Sequence, residues 1–422
     1  MVNVPYKYSY ELYDANRSKR ILICFLLSPL LGFVLALKNI KQKSAFGVMF
    51  AFALLVGLCM DVPIDRINGD LNVDATTYRE YFEEVSVSQN FGGWCEGLIS
   101  FISLTGEEKD YFLPTLSFFA SSILNNYHVL FLFGAAFFAF FELKNIRYLV
   151  LDEKFKMGVC SLFLLYIFNS FNISTMSTLR FPMASSVFIY VIFKYYFEDN
   201  HKVLWLMLLL PFMHGAYFFV LPLFILLSFF KKYEKFWMAV FVIGSFFSFG
   251  SHFFQSLLES FTPSFLQGYI TAEVGDEAIE SYGNANSSRA SVDVIGVLGV
   301  LKNVYLFVIV LILLLKSKSA KMTLSMRSLY LLFLSFYSFA TMISFIPYAS
   351  SRFRDLMMPL FAVLWLNIIP SESKYNKLLL FVPVAYSYEI ALDGYLYYRL
   401  MNFSFWFLSP LISVPYMLFF SL

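Results

Sequence analysis

The stretch Ser177–Phe230, STLRFPMASSVFIYVIFKYYFEDNHKVLWLMLLLPFMHGAYFFVLPLFILLSFF, decides how the rest of the chain is read. Its first part, residues 180–197, is an apolar run long enough to cross the hydrocarbon core as a helix, and a guanidinium opens it. A lysine-bearing turn, Lys194–Lys202, follows. The run Val203–Phe230 then covers about 28 residues, too many for one upright helix, and Pro211, His214, Gly215 and Pro222 interrupt it. A broken or re-entrant helix pair is expected there. Titratable groups are costly in a bilayer, so Arg180 and His214 are functional candidates by default.

The whole chain shares this character. Of 422 residues, 59% are hydrophobic, and the mean hydropathy of +0.67 exceeds what a soluble domain can bury. The expected class is an all-α polytopic membrane protein with one transmembrane domain over 1–422. Apolar runs at 21–37, 45–60, 127–143, 157–171, 180–197, 236–255, 294–315, 328–346, 356–369, 378–392 and 403–422 predict about eleven crossings beside the broken pair. A net charge of +2 gives no reason to expect nucleic acid as a partner. The cysteines Cys24, Cys59, Cys95 and Cys160 lack metal spacing and read as reduced thiols. No cleavable signal is expected at the N-terminus. There is no internal repeat, no nucleotide-binding loop, and no His/Asp/Glu cluster with the spacing of metal ligands.

Lysines and arginines set the orientation, because short cytoplasmic loops retain them. Six clusters fall on one side if the Val203–Phe230 run goes in and comes back: Lys38–Lys43, Lys144–Lys156, Lys202, Lys231–Lys235, Lys316–Arg327 and Lys374–Lys377. The opposite side receives two acidic segments, an outer loop at 61–126 with short surface helices and a flexible loop at 255–293. Residues 1–20, with Lys7, Arg17, Lys19 and Arg20, dissent. Either the first helix runs against the rule or it is interfacial rather than spanning.

In this topology the informative polar residues gather on the outer face. Arg180, Arg352 and Arg354 suit a phosphate-bearing substrate, since guanidinium keeps its charge when desolvated and binds phosphate oxygens in pairs. Headgroup anchoring is the plainer role for arginines at helix ends. Arg352 and Arg354 are two apart and point in different directions on a regular helix. His214 is a candidate general base or donor to an oxyanion, whereas His128, His201 and His252 read as interfacial. Asp74 and Tyr78 share one helical face, and Asp74 is a second candidate base.

The order of these segments resembles the Wzy/EpsG-type polysaccharide polymerases. The residues that carry it are Asp74-x-x-x-Tyr78, Leu179-Arg180-Phe181-Pro182-Met183-Ala184, the Lys194–Lys202 turn, Pro211-Phe212-Met213-His214-Gly215-Ala216, and Ser351-Arg352-Phe353-Arg354. Phe181-Pro182 departs from the polar residue that family often places after the arginine. The resemblance implies a GT-C-like fold in a bacterial inner membrane and a periplasmic active site. It also implies a glycosyltransferase, free of metal, nucleotide and cofactor, that joins oligosaccharide repeat units carried on undecaprenyl diphosphate, as in O-antigen assembly. Arg180, Arg352 and Arg354 would hold the diphosphate, His214 or Asp74 would take the acceptor proton, and Tyr78 and Tyr348 would stack on sugars. Donor and acceptor are both lipid-linked oligosaccharides, and a chain-length regulator protein is a further partner. A flippase or transporter of the same lipid, a membrane acyltransferase and an O-antigen ligase remain alternatives on the residues alone.

Overall fold

The computed structural model describes residues 14–63, 74–88, 90–103, 105, 110–168, 172–247, 289–344 and 347–420. Among these the chain is helical, and its one β contact is an isolated bridge between Met60 and Met401. In chain order the elements are α1 (Ala15–Leu27), α2 (Pro29–Lys38), α3 (Lys43–Leu58), α4 (Asp74–Ser88), α5 (Phe91–Ile102), α6 (Phe112–Ile123), α7 (Tyr127–Val150), α8 (Val159–Ile167), α9 (Ile173–Ser177), α10 (Arg180–Glu198), a 3-10 segment (His201–Leu209), α11 (Leu210–Met213), α12 (Tyr217–Phe230) and α13 (Glu234–Phe247). After the loop come α14 (Arg289–Ser317), α15 (Leu324–Met342), α16 (Pro347–Ile368), a second 3-10 segment (Lys374–Phe381), α17 (Val382–Ala385), α18 (Ser387–Leu400), α19 (Phe403–Phe407) and α20 (Pro410–Phe419). The expected flexible loop at 255–293 lies outside the described residues, apart from the start of α14.

Packing divides the chain into two compact units. One is built from the described parts of Tyr6–Ser161, Ser170–Phe218 and Glu389–Leu422, the other from those of Leu162–Asn169 and Phe219–Tyr388.

In the first unit α3 and α7 form an antiparallel pair. They approach so closely that a Cβ on Gly57 would lie 2.5 Å from the Phe131 carbonyl oxygen. One end of the pair is basic. There Lys41 Nζ donates to the Asp152 carbonyl at 3.2 Å, and Tyr148 OH donates to Glu198 Oε1 at 2.6 Å, which places the C-terminus of α10 at the same level. At the opposite end Tyr127 OH meets Asp61 Oδ1 at 3.3 Å and Asn126 Nδ2 donates to the Met417 carbonyl at 3.0 Å.

Three of the expected crossings are not single helices: 378–392 is shared among the second 3-10 segment, α17 and α18, and two others break at a proline. The run 21–37 breaks at Ser28-Pro29, where Ser28 is extended and Pro29 starts α2. α1 and α2 fold back on each other, with Gly32 against the Phe25 backbone. Ser18 Oγ consequently lies 2.9 Å from Ser44 Oγ, so Arg17, Lys19 and Arg20 stand at the lysine end. The segment is therefore a helical hairpin whose Arg17, Lys19 and Arg20 lie at the same end as Lys41 and Lys43, the arrangement the positive-inside rule asks for. The run 403–422 breaks in the same way at Ser409-Pro410, and Ser409 caps α20. It enters from the opposite end beside Cys59 and returns to that end at Met417. Its tip meets the first hairpin where Ser409 Oγ donates to the Leu26 carbonyl at 2.5 Å. Proline just after each break supplies the cause, since it cannot continue a preceding helix but opens a new one without losing a needed N–H.

Two described helical stretches, Tyr127–Val150 and Val297–Ser317, are individually long and apolar enough to cross a membrane. Most of the others are shorter or carry charge. In the second unit Arg327 pairs with Glu234, which also accepts from Tyr330 OH at 3.1 Å, and Lys316 stands 4.9 Å from the Tyr375 ring centre. The basic loops of this unit therefore share one end as well.

Candidate functional site

The α10 hairpin explains how two residues 34 positions apart in sequence reach one end of the first unit. Asp199 turns the chain in the left-handed conformation (φ 53°), and Asn200 caps the 3-10 segment that runs back along α10. A 3-10 helix rises about 2.0 Å per residue against about 1.5 Å for an α-helix. Fourteen residues therefore return nearly as far as nineteen descend, and His214 ends beside Phe181, their ring centres 5.3 Å apart and edge to face. Tyr217 OH meets Ser185 Oγ at 3.1 Å and pins the chain beyond the break.

Arg180 is aimed by strain on one side and by partners on the other. Leu179, immediately before it, has φ 35° and ψ −74°, a conformation worth about 1–3 kcal/mol of strain for a non-glycine residue. Burial holds it there, its Cδ2 lying where a Cβ on Gly134 would come within 2.4 Å. Pro182 falls in the first turn of α10, where no intrahelical N–H is lost. Arg180 Nη1 donates to Asp110 Oδ2 at 2.9 Å, and Nε donates to Tyr78 OH at 3.3 Å. Tyr78 OH donates in turn to the Thr178 carbonyl at 3.0 Å. Among the described residues two of its five guanidinium N–H groups are engaged, and the side chain is 31% exposed against 3% for Asp110, so three N–H groups are left over there.

α4 is the arm that carries Tyr78. On its other side Arg79 donates to the Val62 carbonyl, pairs with Glu83 at 2.8 Å and lies 3.8 Å from the Tyr127 ring centre. Tyr78 is 2% exposed, which leaves its ring no free face. Burial pushes the Tyr78 phenol well above its ordinary value, the Arg180 charge opposing this and the Asp74 charge adding to it. The phenol is protonated at neutral pH and acts as the donor that fixes Arg180 to the Thr178 corner. Asp74 is exposed at the start of α4, near enough to Tyr78 to be felt electrostatically.

Asp110 is the residue the sequence did not single out. It stands 70 positions from Arg180, at the edge of a long acidic loop, and nothing local marks it. The backbone places it: Tyr111 N–H donates to the Phe212 carbonyl at 3.0 Å, tying this segment to the approach to His214. His214 is extended (φ −158°, ψ 125°), and its Nδ1 accepts from the Ala216 N–H at 3.1 Å. A neutral ring bonded in this way carries its proton on Nε2. Asp74, Tyr78, Asp110, Arg180 and His214 thus share the end opposite the lysines in one unit. Among the described residues no group of three His, Cys, Asp or Glu side chains has the placement to hold a metal ion.

Arg352 and Arg354 belong to the other unit, on regular helix α16. Two residues apart, they point about 200° from each other around the axis. Arg354 Nη1 donates to Asn303 Oδ1 at 2.7 Å beside a cavity of about 20 Å³ lined also by Phe241, Ser245, Phe307, Tyr337 and Thr341. Its Nε is buried without a hydrogen-bond partner among the described residues. The side chain of Tyr348 lies outside the described residues.

The sequence profile of the EpsG family matches residues 64–406. The chain belongs to the EpsG family. This is a family of Wzy/EpsG-type polysaccharide polymerase-like proteins, and the helical architecture with its apolar helices agrees with a membrane protein of that kind. In this EpsG-family chain the matched region takes in Asp74, Tyr78, Asp110, Arg180, His214, Tyr348, Arg352 and Arg354. It leaves out α1, α2, α3 and α20. Neither curated proteins nor solved structures give a match.

Proposed function

We propose that the protein is a polysaccharide polymerase of the bacterial inner membrane, working at the periplasmic face on oligosaccharide repeat units linked to undecaprenyl diphosphate, with O-antigen as the product class. The observation that carries this reading is Arg180: a half-buried guanidinium at the lysine-poor end, held by Asp110 and Tyr78 with three N–H groups left over among the described residues. Such a fork suits the two phosphates of a lipid diphosphate leaving group.

In the proposed reaction a hydroxyl oxygen of the acceptor sugar attacks the anomeric carbon of the growing chain. The bond from that carbon to the diphosphate oxygen breaks, and the lipid diphosphate leaves with the electron pair. Arg180 offsets the charge that develops on it, an electrostatic contribution that preorganised donors make without reorganising. His214, with its proton on Nε2, adds a second donor to the diphosphate. The acceptor proton goes to Asp74, the exposed carboxylate one turn from Tyr78. Tyr78 serves as a positioning residue for Arg180, since its buried ring offers no surface to a sugar. Arg352, Arg354 and Tyr348 belong to the other unit and are assigned no part in the Arg180 site.

Full-length Arg180→Ala and His214→Ala proteins test the proposal in cells that assemble the polysaccharide. Both are expected to insert at wild-type levels while long polysaccharide collapses to single-unit product on a gel. Wild-type ladders from both variants overturn the assignment. Loss of even the single-unit product points to a flippase instead.

A further inference from the structure

A second site lies in the other unit, at its basic end. Helices α12 and α13 meet at a tight turn, and with α15 they enclose a groove of about 480 Å³ whose lining includes Leu223, Leu226, Leu227, Phe230, Tyr233 and Trp237. This volume is in the range of ligand pockets, about 300–1,000 Å³, and the named lining side chains are apolar or aromatic. The groove is open at the protein surface: Leu226, Phe230 and Phe236 are each about half exposed, at 53%, 48% and 58%. Trp237 Nε1 donates to the Phe230 carbonyl at 3.0 Å, bracing the turn.

The turn is strongly cationic. Lys231, Lys232 and Lys235 lie within five residues of one another, and Arg327 joins them through its pair with Glu234. The carboxylate at the turn, Glu234, is taken by Arg327 and Tyr330. Lys232 and Lys235 are exposed and have no carboxylate partner among the described residues; Lys232 Nζ stands 5.3 Å from the Tyr233 ring centre. An acyl-sized apolar groove lined by Tyr233, against whose ring Lys232 stands, with Lys235 exposed on the same short turn, has the make-up of a membrane-interface lipid site.

We infer that this groove is a binding site for an anionic phospholipid of the cytoplasmic leaflet, with one acyl chain along α12 and the phosphate on Lys232 and Lys235. The site lies apart from Arg180 and His214 in sequence and in unit, and it does not depend on the transferase reading. It gives the basic loop a second task beyond orientation, that of recruiting a specific lipid.

Native mass spectrometry of the full chain in a neutral detergent, with phosphatidylglycerol or phosphatidylcholine added in parallel, tests this. The wild type is expected to retain phosphatidylglycerol in preference to phosphatidylcholine. K232Q/K235Q should weaken phosphatidylglycerol binding about 30-fold, the equivalent of about 1 kcal/mol per lysine, with phosphatidylcholine unaffected. L226W, which fills the groove, should weaken both lipids. Thermal unfolding of each variant in the same detergent checks that it is folded, and K232R/K235R serves as the charge-preserving control that should bind as the wild type does. Equal retention of the two lipids by the wild type, or an unchanged preference in folded K232Q/K235Q, overturns the inference.

Discussion

Asp110→Asn removes the charge that holds Arg180 while keeping the shape of the side chain. The pair is 2.9 Å long, with the carboxylate 3% and the guanidinium 31% exposed. At an effective dielectric near 20, two unit charges about 4 Å apart attract by about 4 kcal/mol. The exposed third of Arg180 recovers part of that from water, and asparagine can still accept a hydrogen bond through its amide oxygen. A net loss of about 1–3 kcal/mol in stability follows, below the cost of truncating a fully buried pair. The functional effect is larger in proportion. With residue 110 neutral, Tyr78 and a weaker uncharged hydrogen bond hold the fork, and a displacement of about 1 Å in a positioning group costs on the order of 100-fold in rate. Purified Asp110→Asn protein should therefore unfold at a lower temperature in detergent and extend lipid-linked repeat units at about 1% of the wild-type rate. If its midpoint and its product ladder both match the wild type, the ion pair does not hold the guanidinium and the site has been built on the wrong contact.

His214→Gln retains an N–H donor at about the reach of Nε2, so it should keep more activity than His214→Ala, which loses about 100- to 1,000-fold if a transition-state donor has been removed; equal loss in both, measured as turnover, argues for proton abstraction by His214. Gly57→Ala drives a Cβ to 2.5 Å from the Phe131 carbonyl and should cost about 1–3 kcal/mol by separating α3 from α7, read as a lower unfolding midpoint with unaltered insertion. Ser18→Cys/Ser44→Cys places two thiols where hydroxyls stand 2.9 Å apart; oxidation should cross-link them, and cytoplasmic-side reagents should label both, whereas labelling from opposite sides contradicts the α1–α2 hairpin.

The helix patterns and charge clusters carried much of the architecture. Lys41, Arg147, Lys154 and Lys202 lie at one end of the first unit, as the grouping of basic clusters predicts, and Pro211, His214 and Gly215 mark the break that the structure puts at His214–Ala216. The two hairpins were hidden by length. Ser28-Pro29 and Ser409-Pro410 are turn signals, but each sits inside an apolar run about as long as a bilayer is thick, and hydropathy alone does not register a fold-back. Asp110 was hidden for a different reason. Which of many loop carboxylates meets Arg180 depends on the Tyr111–Phe212 backbone bond and on the 3-10 segment that brings Phe212 there, contacts that no local pattern encodes. Tyr78 was found as a candidate, yet its burial changes the role it can play, from sugar platform to support for Arg180.

The central claim is that Arg180 stabilises a departing lipid diphosphate. The direct measurement is release of undecaprenyl diphosphate by the purified protein supplied with its lipid-linked repeat unit. The wild type is expected to release one diphosphate lipid per glycosidic bond formed, with release and bond formation lost together in Arg180→Ala. Bond formation at the wild-type rate in Arg180→Ala, or elongation by the wild type without release of the diphosphate lipid, contradicts that claim.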